Sequence, residues 1–178
     1  ILGTFAAYLK RTGMPSRRDL ELVGRMAQLT KIAIERRVSE DALRESERRF
    51  RGLFENVVEG VYQVTMDGYL VSANPALIEM LDYASLQELR AIGSTERLYV
   101  DPAKRHQLIE QMIRDGELVE AEYDLIRRDG SVITITENAR LNRDAQGEPT
   151  GFEGTVTDIT ERKRAEQQFY DEKERAEV

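Results

Sequence analysis

The chain has 178 residues, with 26 Lys and Arg against 33 Asp and Glu, and its formal net charge at pH 7 is −7. No overall positive field would attract a phosphate backbone, so we expect no nucleic acid partner. Cysteine is absent, which excludes disulfides, thiolate metal clusters and cysteine nucleophiles and fits a cytoplasmic location. No apolar run approaches the roughly 20 residues that cross a bilayer, so we expect no membrane contact.

The N-terminal region predicts a short strand over residues 3–9, a loop, and a long helix that begins near Arg17 with Ser16 as its cap. Four apolar residues of this helix fall on one seven-residue repeat: Leu22, Leu29, Leu43 and Phe50. Arg36 interrupts the repeat. The pattern therefore leaves two interpretations open, the seam of a parallel homodimer and an amphipathic helix that packs on its own domain.

The first half of the central block predicts a hairpin followed by helices. Residues 60–65 and 69–73 have strand character, and Asp67-Gly68 lies in the turn between them. Asn74-Pro75 predicts a helix start, because Asn caps free amides and proline fits the first helical position.

Two further helices follow. Ser85 and Glu88 form a capping box. Asp101 precedes a proline ahead of the next helix, which Gly116 ends. We expect four apolar residues of this helix to face inward: Leu108, Ile109, Met112 and Ile113.

The second half of the block predicts three strands, at residues 119–127, 132–141 and 151–159, with Asp129-Gly130 as a hairpin signal. The order is two strands, then helices, then three strands. We therefore expect an α+β fold, in which a five-stranded antiparallel sheet carries helices on one face and encloses a small cavity.

The central block resembles a PAS domain. The resemblance rests on five features in order: Glu45-Ser46-Glu47-Arg48-Arg49-Phe50, Asp67-Gly68, Ala73-Asn74-Pro75-Ala76, Arg127-Arg128-Asp129-Gly130-Ser131, and Asp158-Ile159-Thr160-Glu161-Arg162-Lys163. It implies a PAS domain over residues 53–160, between a signalling helix at 17–52 and an output helix at 161–178.

Residues 1–16 resemble the end of a GAF domain, with residues 32–37 as part of the same likeness. The final residues resemble a linker into a further domain of cyclic-di-GMP signalling proteins. These likenesses imply a piece of a multidomain bacterial sensor, either a diguanylate cyclase or phosphodiesterase or a two-component histidine kinase, with an output domain downstream in cis.

The resemblance assigns a signal-relay role to Asp158, Ile159 and Thr160, where the last strand becomes a helix. Asp158 and Thr160 can also act simply as caps of that helix. We expect Asp158 to pair with Arg127 or Arg128 of the second hairpin, so that sheet strain changes the direction of the outgoing helix.

Six residues are predicted to line the cavity: Tyr62, Leu77, Met80, Met112, Tyr123 and Ile135. They can equally fill a dry core, and we favour a core without a cofactor. A small metabolite or non-covalent flavin stays open. His106, the single histidine, lies in the region where haem-binding relatives place their ligand, but its polar neighbours favour a solvent-facing position.

Four glutamates on the predicted strands invite a paired-carboxylate interpretation: Glu120, Glu122, Glu137 and Glu153. No nucleophile, histidine cluster or phosphate loop accompanies them, so we interpret them as solvated strand faces and expect no enzyme activity. The sequence thus predicts a dimeric sensory and relay module. Its rivals are a structural dimerisation spacer and a receptor for haem, flavin or a small carboxylate.

Overall fold

The computed structural model describes residues 13–176, and the strand predicted at residues 3–9 lies outside them. The chain divides into two compact units at Gly52 and Leu53, which are described separately. Within the described residues, no helix combines the length and the apolar character needed to span a bilayer.

The first unit consists of most of helix α1 (Arg17–Asn56). The predicted cap is confirmed, since Ser16 Oγ accepts a 3.2 Å hydrogen bond from the Asp19 amide. Ion pairs four residues apart follow along the helix, among them Arg36 with Glu40 at 2.8 Å. None of the α1 residues is buried in the single chain, and a few, such as Val23 and Ala27, are half-buried.

The second unit contains a hairpin, four short helices, three long strands and a final helix. The elements are β1 (Gly60–Thr65), β2 (Leu70–Ala73), α2 (Pro75–Met80), α3 (Leu86–Arg90), a 3₁₀ helix (Thr95–Leu98), α4 (Pro102–Asp115), β3 (Glu117–Ile126), β4 (Val132–Arg143), β5 (Pro149–Asp158) and α5 (Thr160–Ala176). Every predicted strand of the central block is present, whereas the 3₁₀ helix was not predicted.

The five strands form one antiparallel sheet in the order β2-β1-β5-β4-β3. The last strand therefore lies at the centre, between the first hairpin and the second. Ile135 of β4 stands between two partners, Tyr123 on β3 and Asp158 on β5. This arrangement confirms the α+β prediction. Only one strand, β4, separates the end of β5 from β3.

Capping residues explain where the short helices begin and end. Asn74 is fully buried and accepts a 3.0 Å hydrogen bond from the Leu77 amide at the start of α2. Ser85 Oγ accepts one of 3.1 Å from the Glu88 amide at the start of α3. Gly116 ends α4 with a φ of +87°, a left-handed conformation that glycine adopts without strain.

The core lies between the sheet and the helices, and it corrects one prediction about α4. Leu108 and Met112 are buried as predicted, and Ile109 packs against the core. The prediction is wrong for Ile113, which is 48% exposed. Arg105 is the third buried residue of α4 instead, because it lies three residues before Leu108 and so shares its helix face.

Candidate functional site

A small cavity of about 80 Å³ lies between the sheet and helices α2 and α4. Most of its wall is aliphatic. Its polar or aromatic lining residues are Tyr62, Thr95, Tyr99, Arg105, Tyr123, Glu137 and Phe152. The cavity therefore combines an apolar body with a few polar groups, which is the usual character of a small-molecule site.

Four of the six residues predicted to line this cavity do so: Tyr62, Leu77, Met112 and Tyr123. The prediction is wrong for Met80 and Ile135. Ile135 is completely buried within the core, where it is packed by neighbours rather than facing open space. Met80 is half-buried at the end of α2 and packs against the core from its periphery.

Glu137 is the unexpected member of the cavity wall. It is only 3% exposed, so the interpretation of this residue as part of a solvated strand face is wrong. The Tyr62 hydroxyl donates a hydrogen bond to Glu137 Oε1. Along β4, Ile133, Ile135 and Ala139 are buried in alternation with exposed or half-buried residues, and Glu137 falls on the same inward register.

Tyr99 and Tyr123 complete a polar cluster around Glu137. Their rings are stacked with centroids 4.9 Å apart, and the Tyr99 hydroxyl donates to the Tyr123 hydroxyl at 3.3 Å. Burial raises the pKa of the Glu137 carboxyl above its ordinary value, and hydrogen bonds from Tyr62 and Tyr123 act in the opposite direction. Burial, followed by the nearby Glu137 charge, also raises the pKa of all three phenols.

A second polar site lies where β5 becomes α5. Arg127 Nη2 donates a 2.9 Å hydrogen bond to Asp158 Oδ2, while the other oxygen of the same carboxylate accepts a 2.8 Å bond from the Thr160 amide. Asp158 thus pairs with one of the two predicted arginines and caps α5 at once. Arg128 does not reach Asp158, because its side chain pairs with Glu88 at 3.0 Å.

Backbone hydrogen bonds attach the same junction to β4. The Ile159 amide donates to the Thr134 carbonyl at 2.9 Å, and the Thr134 amide donates to Thr160 Oγ1 at 3.0 Å. Ile159 itself is buried, with 6% of its surface exposed. Only this residue separates β5 from α5, so the helix leaves the sheet without a flexible loop.

An acidic residue of β3 holds the first turn of α5. Glu122 pairs with Lys163 at 2.5 Å and with Arg162 at 3.3 Å. The hydrogen bond from Lys163 lowers the pKa of the Glu122 carboxyl. Glu122 is therefore a contact between sheet and helix, which its interpretation as a solvated strand residue missed.

The comparison with known families decides the identity of this fold. Residues 48–159 match the family model described as the PAS fold. The chain belongs to the PAS family. A curated relative, the methyl sulfide methyltransferase-associated sensor of Methanosarcina acetivorans, is 33% identical over 168 residues, which are 93% of this chain. The chain spans only 16% of the length of that relative.

Solved PAS structures share the fold at low sequence identity. A PAS domain from Colwellia psychrerythraea superposes with a TM-score of 0.55 at 19% identity, over 64% of this chain and 97% of the other. A PAS domain from a two-component sensor histidine kinase gives a TM-score of 0.53 at 18% identity, again over 64% and 97%. These likenesses establish the fold, and the sensor relative adds that this PAS domain is related to sensory proteins.

The remaining predicted residues of this PAS protein lie on its surface. His106 is exposed on α4, does not line the cavity, and places Nδ1 2.8 Å from the Pro102 carbonyl. Glu120 is exposed, and Glu153 accepts a 2.9 Å hydrogen bond from Asn142. Within residues 13–176, no group of acidic or histidine side chains is arranged to hold a metal ion.

The four residues of the predicted dimer seam are all exposed in the single chain. The exposed fractions of Leu22, Leu29, Leu43 and Phe50 are 59%, 67%, 60% and 69%. The exposure of the three leucines is compatible with packing against a second copy of α1. The parallel homodimer itself stays a prediction.

Proposed function

We propose that this PAS chain is a sensory and signal-relay module, in which a change at the cavity alters the direction of α5 and so acts on an output domain downstream in cis. The observation that supports this most is the double role of Asp158. Its carboxylate is shared between Arg127 of the second hairpin and the first amide of the outgoing helix. A displacement of the hairpin therefore pulls directly on the start of α5.

The sheet register supports a coupling between the cavity and α5. Tyr123 lines the cavity, while its neighbour Glu122 points to the other face and holds Lys163. Across the sheet from Tyr123 lies Ile135, and across from Ile135 lies Asp158. A ligand that shifts β3 against β4 would thus strain both the Glu122 and the Asp158 attachments of the helix.

Such a relay requires two arrangements of α5 that are close in free energy, because a stimulus acts only through its different affinity for them. The attachments are suited to this, since each is a half-exposed ion pair or a single hydrogen bond. Solvent-exposed pairs of this kind contribute about 0–1 kcal/mol each. Several weak attachments can exchange for others without unfolding the sheet.

We further propose that the module works as a parallel homodimer through the α1 seam, in the cytoplasm, within a diguanylate cyclase or phosphodiesterase or a histidine kinase. The exposed heptad leucines support the dimer. Sedimentation of the chain with Leu29→Glu tests it, and Leu20→Glu is the matched control because Leu20 is 60% exposed but lies off the repeat. Dissociation by the first variant alone is expected, and a wild-type monomer at high concentration contradicts the seam.

A receptor function of the cavity is favoured over a purely structural spacer by one observation. The wall holds a buried carboxylate, Glu137, and a buried guanidinium, Arg105, where a spacer would need only apolar packing. Burying such groups costs stability, so their presence suits a binding role.

The relay is tested in the intact parent protein by its output activity with and without stimulus. Asp158→Asn and Arg127→Gln are expected to abolish the difference between the two states. Asp171→Asn is the matched control, since Asp171 lies on α5 but bonds only Gln167 within the described residues. A full response in the Asp158 variant contradicts the relay.

A further inference from the structure

The guanidinium of Arg105 lies at the cavity wall. Its side chain is only 11% exposed. The carboxylate of Glu96 approaches to 3.8 Å, which is an ion pair but too long for a hydrogen bond, and Glu96 itself is 45% exposed. Among residues 13–176, no oxygen accepts a hydrogen bond from this guanidinium. The nitrogens of Arg105 keep some solvent-accessible surface, so water can accept hydrogen bonds from them, and a ligand in the cavity would replace that water.

The position of Arg105 is built by two elements. It projects from the face of α4 that also carries Leu108 and Met112. Gly68 in the β1–β2 turn makes room for it, since a Cβ at this glycine would lie 2.6 Å from Arg105 Nη2. The guanidinium is therefore held between a helix and a turn, at one end of a mostly aliphatic space.

At the other end of the cavity, the buried carboxylate of Glu137 already has a hydrogen-bond donor. Glu137 Oε1 accepts a hydrogen bond from the Tyr62 hydroxyl, and burial raises the pKa of its carboxyl against the smaller lowering effects of Tyr62 and Tyr123. Tyr99 lies within electrostatic reach of both Glu137 and Arg105, which change its pKa in opposite directions. The unfilled hydrogen-bonding capacity of the wall is thus on the side of Arg105, whereas the Glu137 carboxyl already has a donor in Tyr62.

We propose that the cavity binds a small organic carboxylate, whose two oxygens accept parallel hydrogen bonds from the Arg105 guanidinium and whose short apolar body packs against the aliphatic wall. A planar guanidinium matches a carboxylate in this bidentate geometry. The aliphatic wall includes Leu77, Leu89 and Ile109 on the helices and Val64 and Val156 on the sheet. This inference rests on the receptor part of the proposed function and gives it a ligand class.

The size of the cavity restricts the ligand. Its volume is about 80 Å³. An engineered apolar cavity that binds one benzene molecule has a volume of about 150 Å³, roughly twice as large. Benzene has six non-hydrogen atoms, so by the same proportion this space encloses about three of them. The acid is therefore limited to about two or three carbons, with its carboxylate oxygens placed at Arg105 on the cavity wall. Haem and flavin are far larger than this space.

The test titrates the isotopically labelled 178-residue chain with sodium propionate and follows its amide resonances. We expect saturable shifts at Gly68 and Thr95, which flank the guanidinium. Propionamide has the same shape without charge and propylammonium has the opposite charge, so neither should produce these shifts. Sodium chloride at equal concentration controls for non-specific anion binding. Equal shifts with propionamide or chloride, shifts with propylammonium alone, or no saturable shift with propionate would overturn the proposal.

Two arginine variants locate the binding site. Arg105→Gln is expected to weaken propionate binding at least tenfold, whereas Arg97→Gln, an exposed arginine of the neighbouring 3₁₀ helix, should leave it unchanged. An unaltered affinity for propionate in a folded Arg105→Gln chain contradicts the placement of the ligand at Arg105. If that variant does not fold, the comparison of propionate with propionamide, propylammonium and chloride on the unaltered chain decides alone. Shifts at residues 160–163 report on the relay separately, so binding without them supports the ligand class and counts against the relay.

Discussion

Tyr62 and Glu137 face each other across the central strand of the sheet, and the phenol hydroxyl donates its hydrogen to the buried carboxylate. The two residues lie on β1 and β4, with β5 between them. Their hydrogen bond therefore links strands that do not pair with each other. It also fixes the polar end of the cavity.

Glu137 should make the chain less stable as the pH rises. Burial raises the pKa of its carboxyl in the folded chain above the ordinary value of 4.5. Between these two pKa values the folded state binds more protons than the unfolded state, so the free energy of unfolding falls with rising pH. Glu137→Gln should remove this fall and be more stable at neutral pH, by about 1–3 kcal/mol. Urea unfolding from pH 4 to 8 measures it.

Glu153→Gln is the control, because Glu153 should affect the pH dependence of stability in the opposite direction. Hydrogen bonds from Asn142 and Arg140 lower the pKa of the Glu153 carboxyl. Its stabilising contribution is therefore present above the unfolded pKa and lost as the pH falls through the folded pKa. If the free energy of unfolding changes with pH in the same way in the two variants, the burial of Glu137 is not the cause of the fall in stability with rising pH.

Tyr62→Phe should lower the free energy of unfolding by about 1–3 kcal/mol, because the variant leaves a buried carboxylate with one donor fewer. Thermal and urea unfolding give the value. Tyr69→Phe is the matched control, since Tyr69 is 56% exposed and should change stability by less than about 0.5 kcal/mol. Equal effects of the two substitutions would show that the hydrogen bond to Glu137 contributes nothing.

Asn74→Ala should cost about 2–4 kcal/mol, more than a typical helix cap. The Asn74 side chain accepts from the Val61 and Leu77 amides at 2.8 and 3.0 Å and donates to the Glu59 carbonyl at 2.9 Å. Asp101→Ala, at an exposed cap, removes a single 2.9 Å bond to the Ala103 amide and should cost about 1 kcal/mol. Urea unfolding compares them, and similar costs would contradict the structural role of Asn74.

Gly68→Ala tests the space that holds Arg105. Gly68 and Gly130 have φ angles of +80° and +84°, so alanine is strained at both. A Cβ at Gly130 meets no neighbour within 4 Å, whereas at Gly68 it would lie 2.6 Å from Arg105 Nη2 and 2.9 Å from Ser94 Oγ. Gly68→Ala should therefore be less stable than Gly130→Ala, by about 1 kcal/mol or more. Equal stabilities in urea unfolding would show that Arg105 moves aside freely.

The sequence predicted the fold because local signals and tertiary packing agree in this chain. Asn74-Pro75, Ser85 with Glu88, and Gly116 each mark a helix boundary through a single capping interaction, so their effect is readable without knowledge of the fold. The alternation in β4 likewise predicts a strand. These signals are short-range, and the five strands and their sequence along the chain followed from them, whereas the order of the strands within the sheet was not predicted.

The polar wall of the cavity was missed for a different reason. Glu137 and Arg105 are charged side chains, and charged residues usually lie at the surface. Their burial depends on partners distant in sequence, Tyr62 for one and the turn at Gly68 for the other. The burial of both residues could have been predicted from their positions. Glu137 lies on the same face of β4 as Ile133 and Ile135, and Arg105 lies on the same face of α4 as Leu108.

The link from the hairpin to α5 is tested most directly by hydrogen exchange of the α5 amides in the 178-residue chain. Arg127→Gln should accelerate exchange at Lys163, whose amide donates to the Ile159 carbonyl at 2.9 Å, although Arg127 lies outside this helix. Arg128→Gln, which removes the pair with Glu88 instead, should leave Lys163 unchanged. Faster exchange confined to the hairpin in the Arg127 variant, with Lys163 as protected as in the unaltered chain, would contradict the relay.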